Sequence, residues 1–128
     1  MRADGSVVDG QAQIRRTTGI QRVWLTPDGV SASEEALTAI ADAELIVLGP
    51  GSLYTSRVAR GLTEGLPDAL AATRARKVYV SNLMTKPGET DGFQAHDFIE
   101  AVERCTGPVF DHLLYNTRHP GDWVVRRY

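Results

Sequence analysis

The sequence is short of several things, and each shortage excludes a class of protein. Its 128 residues include one cysteine, Cys105. No intrachain disulfide can form, and a reducing compartment is expected. No apolar run approaches the roughly 18 residues that a membrane-spanning helix needs. Met1 to Gly10 carries no apolar core of a secretory signal. Neither sign of charge dominates, with 14 lysines and arginines against 16 aspartates and glutamates. The basic residues, among them Arg22, Arg57, Arg60 and Arg74, are scattered among acids instead of forming a stripe. That pattern removes the electrostatic footprint of a nucleic-acid binder. The expectation is a cytoplasmic protein that engages neither nucleic acid nor membrane.

What is present is an alternation of strand and helix signals over a length suited to one domain. Ser6 to Val8 runs into the turn pair Asp9-Gly10, and Gln11 to Arg15 reads as the returning strand of a β-hairpin. Ile20 to Leu25 alternates apolar and polar residues and reads as a strand before the turn Thr26-Pro27-Asp28-Gly29. Ser31 or Ser33 is placed to cap a helix whose first turn holds Glu34 and Glu35 and whose apolar face is Ala36, Leu37, Ile40 and Ala41. Leu45 to Leu48 is a short continuous apolar run, the pattern of a buried parallel strand. The cycle repeats with a helix over Leu66 to Ala75, a strand over Lys77 to Ser81, a helix over Phe93 to Cys105 stopped by Gly107-Pro108, and a strand within Val109 to Tyr115. Such alternation implies right-handed crossovers and a parallel sheet covered by helices on both faces.

Two loops leave strands at the edge where open α/β sheets hold ligands. The first, Gly49-Pro50-Gly51-Ser52-Leu53-Tyr54-Thr55-Ser56, has two glycines that let a backbone approach a ligand and hydroxyls suited to phosphate oxygens. The plainer reading is a tight turn whose hydroxyls cap the next helix. It is not a Walker loop, because no Gly-Lys-Ser/Thr follows. The second runs from Asn82 to Gly92 and is long for a strand-helix connection. Asn82 both donates and accepts, Lys86 suits a phosphate, and Glu89 with Asp91 suits a cation or acid-base work. The plainer reading makes Thr90 or Asp91 the cap of the following helix. His96, His112 and His119 have no metal-binding spacing, Cys105 reads as core filler, and Trp24 and Trp123 read as packing or interface residues.

Gly49 to Ser56, taken with Tyr79 to Gly92 and the later Tyr115-Asn116-Thr117, closely resembles the YvcK-type gluconeogenesis factors of the CofD-like family. The resemblance runs from about Gly5 to Tyr128. It implies a Rossmann-like three-layer α/β fold, here with the mostly parallel sheet and the N-terminal hairpin. It implies cytoplasmic binding of a UDP-sugar, UDP-N-acetylglucosamine in particular, in a protein that influences cell shape and gluconeogenic growth without clear enzymatic activity. Gly49, Gly51, Ser52, Tyr54 and Thr55 would line the pocket from one loop, and Asn82, Thr85, Lys86, Glu89 and Thr90 from the other. Tyr128 sits where members carry a tyrosine able to stack on a uracil or sugar face. The alternative from the sister branch is a 2-phospho-L-lactate transferase of deazaflavin coenzyme synthesis, which would need Mg2+; no other cofactor is implied. Family members begin with a strand and a Gly-Gly-Gly-Thr-Gly loop that this sequence does not contain. Gln11 replaces a usual glutamate and Lys86 a usual glutamine. The resemblance therefore makes the chain the C-terminal part of a CofD-like domain, with the N-terminal half as a partner and homo-oligomerisation expected.

Overall fold

The computed structural model describes residues 1–14, 16–118 and 121–125. Three parallel strands, β1 (Leu45–Leu48), β2 (Arg76–Val80) and β3 (His112–Leu114), pair in that order. Leu48 stands beside Tyr79, and Tyr79 beside Leu113. Around the sheet lie α1 (Gln11–Ile14), α2 (Glu34–Asp42), a π-helical turn (Leu53–Val58) that continues into α3 (Ala59–Gly61), α4 (Leu66–Ala72), α5 (Ala95–Thr106) and α6 (Asp122–Val125). The local signals act where they were expected. The Ser33 hydroxyl accepts from the Ala36 amide at 3.3 Å and caps α2. Pro67 sits in the first turn of α4, and Gly107, at φ +75°, ends α5.

The core forms on one face of the sheet. Tyr79 packs there with Leu53, Val58, Phe98 and Val102, and Leu48 and Leu113 flank them. Gly61 lets α3 lie against α5: a Cβ on it would meet the Cys105 Cβ at 3.0 Å and the Thr106 Cγ2 at 3.1 Å. Burial pushes the Cys105 thiol up from its ordinary pKa, with Arg104 opposing weakly. At neutral pH the reactive thiolate is therefore scarce. Cys105 is expected to alkylate with iodoacetamide at least tenfold more slowly than free cysteine, and at the free rate in urea; an equal rate in the folded chain would contradict this burial.

Three expectations fail. The N-terminal hairpin is absent: Gln11–Ile14 forms a helical turn, after Gly10 at φ +86°, because Gln-Ala-Gln is a run of good helix formers. Ile20 to Leu25 is not a paired strand. Only Ile20 bridges, antiparallel to Arg2, and the Gln21 and Arg22 amides donate to the Met1 carbonyl instead. Trp24 and Trp123 are exposed, which overturns the packing reading of each and not the interface one.

The sheet is also bare on its second face among the described residues. Leu45, Val47 and Leu114 are 57%, 54% and 59% exposed, with half-buried Val78 and Val80 between them. The strand order explains it. Successive right-handed crossovers that advance in one direction put every connecting helix on the same side, and a second helix layer requires the order to reverse. The α/β class and the parallel sheet stand, but these residues do not supply the opposite layer.

Candidate functional site

Because β1 and β2 are parallel neighbours, the loops after them emerge side by side. They are tied together. The Gly51 amide donates to Asn82 Oδ1 at 3.2 Å, and Asn82 Nδ2 donates back to the Gly51 carbonyl at 3.1 Å. Between them lies a cleft of about 440 Å³ lined by Gly51, Ser52, Asn82, Lys86, Glu89 and Thr90. That volume suits a small-molecule ligand. Thr85 lies instead in a neighbouring cleft of about 490 Å³, on the far flank of Asn82, with His96 and Asn116. Tyr54 and Thr55 face a third, of about 400 Å³, closed by the N-terminal segment and Trp24. Gly49 stands behind the first cleft, its carbonyl accepting from Arg57 Nε at 3.1 Å. Tyr128 lies outside the described residues. Six of the eleven predicted residues thus share one cleft.

The second loop holds its own shape. The Thr90 hydroxyl, in a side chain only 1% exposed, accepts from the Lys86 amide at 2.7 Å, and the Asp91 carboxylate accepts from the Gly88 amide at 2.5 Å. Neither residue caps α5, contrary to expectation. Gln94 does, with Asp97 accepting from its amide at 2.7 Å. Thr90 and Asp91 fix a turn inside the loop because their short polar side chains reach amides a few residues back. Lys86 forms an ion pair with Glu89, whose side chain is 3% exposed. The lysine is therefore held by the loop's own acid. Gly88, at φ +75°, abuts Thr18 so closely that a Cβ would stand 2.1 Å from its methyl carbon, and its carbonyl accepts from the Gly19 amide at 3.0 Å. Gly88→Ala is expected to unseat the N-terminal segment, raising Gly19 amide exchange at least tenfold by NMR. Unchanged exchange would show that this docking contact is not held there.

The first loop departs from its expected role. The Ser52 and Thr55 hydroxyl oxygens are buried without a hydrogen-bond partner among the described residues. Neither oxygen is exposed to the cleft that its residue lines, and the π-helical turn that begins after Ser52 is a form common at functional sites. The Tyr54 phenol has its pKa raised by burial, then by the nearby Glu89 carboxylate, against a weaker opposing pull from Arg104. It is a neutral hydroxyl at physiological pH. Beneath both loops lies Arg57, 2% exposed. Burial lowers its pKa and Tyr79 counters, yet a guanidinium stays charged at neutral pH. It donates to the Tyr79 hydroxyl, to Asn82 Oδ1 at 2.5 Å and to the Gly49 carbonyl, and stacks 4.9 Å from the Tyr79 ring centroid. No carboxylate pairs with it among the described residues. Sequence reasoning passed over Arg57. Its signal was a cation four residues after Leu53 and four before Gly61, on what helical spacing makes a buried face.

Glu89 and Asp91 do not form a cation site. One is committed to Lys86 and the other to the Gly88 amide, and no group of three metal-ligating side chains occurs among the described residues. These residues do not fit Mg2+ by themselves. His96 is exposed beside Asp97 at 3.4 Å, His112 is exposed on β3, and His119 lies outside the described residues.

The arrangement has close counterparts. A putative gluconeogenesis factor of Thermotoga maritima is 43% identical over 126 residues, 98% of this chain and 40% of the relative. The gluconeogenesis factor of Bacillus subtilis is 38% identical over 127 residues, again 98% of this chain and 40% of the relative. A crystal structure of a Bacillus halodurans protein superposes with a TM-score of 0.91 at 40% identity, over 99% of this chain and 42% of that one. The chain spans about two-fifths of the length of the curated relatives it matches. The family model described as 2-phospho-L-lactate transferase CofD matches residues 1–128. With the family model matched over all of residues 1–128, the chain belongs to the CofD family.

Proposed function

We propose that the cleft between the Gly49–Ser52 loop and the 82–92 loop holds part of a UDP-sugar, of the UDP-N-acetylglucosamine class, and that the chain serves a regulatory and not a catalytic role. The observation that carries this reading is the tied pair of loops at the carboxyl edge of the sheet, bordering about 440 Å³ beside a buried guanidinium that has no carboxylate partner among the described residues. A ligand rich in acceptor oxygens suits that environment. The names of the gluconeogenesis-factor relatives favour a role in growth on gluconeogenic carbon, and an influence on cell shape is part of the same proposal. A cytoplasmic setting accords with a lone cysteine; no helix among the described residues is long and apolar enough to cross a membrane. The partner that completes the site is an N-terminal segment bearing the family's Gly-rich loop, seated on the bare sheet face. A second copy of the chain is the competing occupant.

The test is calorimetric titration of UDP-N-acetylglucosamine into the chain, alone and recombined with the N-terminal part of a relative. Saturable binding, strengthened at least tenfold by recombination, is expected. No binding in either state at millimolar ligand would overturn the proposal. The family model's own description favours a second reading, transfer of a phospholactyl group. It predicts turnover with a deazaflavin acceptor and Mg2+, with the metal ligands drawn from the partner segment.

A further inference from the structure

The Asn82 side chain has few ways to sit. Its Oδ1 accepts from Arg57 at 2.5 Å and from the Gly51 amide at 3.2 Å, while its Nδ2 donates to the Gly51 carbonyl at 3.1 Å. Rotating the amide by half a turn would set Nδ2 against the guanidinium and against the Gly51 N–H, donor facing donor twice. It would also set Oδ1 against a carbonyl oxygen. Arg57 has no acceptor with which to relieve that clash. It cannot swing aside either. It is 2% exposed and held at its other nitrogens by the Gly49 carbonyl and the Tyr79 hydroxyl, on β2 and the loop after β1.

We propose that Arg57 is the positioning residue of the two-loop cleft: its guanidinium fixes the orientation of the Asn82 amide and, through it, the backbone at Gly51. This rests on the ligand reading above only for its functional consequence. With both Gly51 backbone groups and Asn82 Oδ1 already engaged, Asn82 offers the cleft one free N–H. The cleft therefore meets its ligand as a donor, which selects a carbonyl or phosphoryl oxygen at that point. A lysine preserves the charge but not the fork that reaches Gly49, Tyr79 and Asn82 together.

The experiment uses Arg57→Lys, Arg57→Met, Asn82→Ala and the double variant Arg57→Met/Asn82→Ala. Two readouts are taken at a temperature where the amides of α5 remain fully protected in each. The first is hydrogen exchange of the Gly51 amide without ligand. The second is affinity for UDP-N-acetylglucosamine. Arg57→Lys and Arg57→Met are each expected to speed Gly51 exchange and weaken affinity at least tenfold. The double variant should bind no more weakly than Asn82→Ala, because both changes remove the same tie. Arg57→Lys behaving as the parent would overturn the inference in favour of charge alone, and multiplicative losses in the double variant would overturn it in favour of independent roles. Should the parent bind no sugar nucleotide, the ligand reading fails, while Gly51 exchange still decides this one. A Gly51 amide unaffected by Arg57→Met sinks it. Where Arg57→Met does not fold, Arg57→Lys and Asn82→Ala carry the comparison.

Discussion

Tyr79→Ala is expected to destabilise the chain by about 3–5 kcal/mol, the range for removing an aromatic side chain from a core. A domain stable by about 5–15 kcal/mol would lose much of its margin. Tyr79 is 0% exposed at the centre of β2, paired through the sheet with Leu48 and Leu113 and set edge-on to Phe110 at 5.5 Å. Its ring also lies under the Arg57 guanidinium, and its hydroxyl accepts from it. Removing the ring opens a cavity and strips a buried cation of two of its compensations. Tyr79→Phe separates the two effects. It keeps the ring and leaves one buried N–H unanswered, a cost of about 1–3 kcal/mol. Urea denaturation of the three proteins gives both numbers. Tyr79→Phe as destabilising as Tyr79→Ala would mean that the hydroxyl, not packing, dominates; a neutral Tyr79→Phe would remove Tyr79 from the support of Arg57.

That residue also shows where the sequence could be read and where it could not. The run Lys77 to Ser81 announced a strand by its β-branched and aromatic content, and the strand forms at Arg76–Val80. Phe98, Ile99 and Val102 announced the inner face of α5, and Phe98 and Val102 are buried there. Both are local signals with strong periods. Ile20 to Leu25 had an equally good alternation and failed, because a strand needs a neighbour to pair with and no period reveals one.

The site was legible as two loops but not as chemistry. Gly51 and Asn82 were read as ligand contacts, and the geometry makes them each other's partners. Lys86 was read as suited to a phosphate, and a carboxylate three residues on pairs with it. Ser52 and Thr55 were read as hydroxyls suited to phosphate oxygens, and both oxygens are buried with no hydrogen-bond partner among the described residues. A polar atom's partner depends on side-chain direction, often across a long sequence separation, as with the 31 positions that separate Gly51 from Asn82.

Replacing Leu45 and Val47 together with lysine is expected to abolish association of this chain while leaving its helical content unchanged. On β1 these two side chains share the bare face with Val78, Val80 and Leu114, in register across all three strands. Parallel sheets in solution are ordinarily buried on both sides. An uncovered apolar face flanked by the open edge of β1 attracts whatever can cover it. The parent chain should therefore show, by light scattering, a concentration-dependent mass above 14.0 kDa, and the double-lysine variant a constant mass near 14.0 kDa with the same far-ultraviolet circular dichroism. The relatives carry more than half their length outside the region this chain matches, and the N-terminal segment proposed above as the partner is the occupant expected here. That segment, from the Thermotoga maritima relative, should co-purify with the parent chain, disperse its self-association and ignore the variant. Self-association that the segment cannot displace would make a second copy the natural cover. A parent chain monomeric at millimolar concentration that also ignores the segment would mean that neither covers this face.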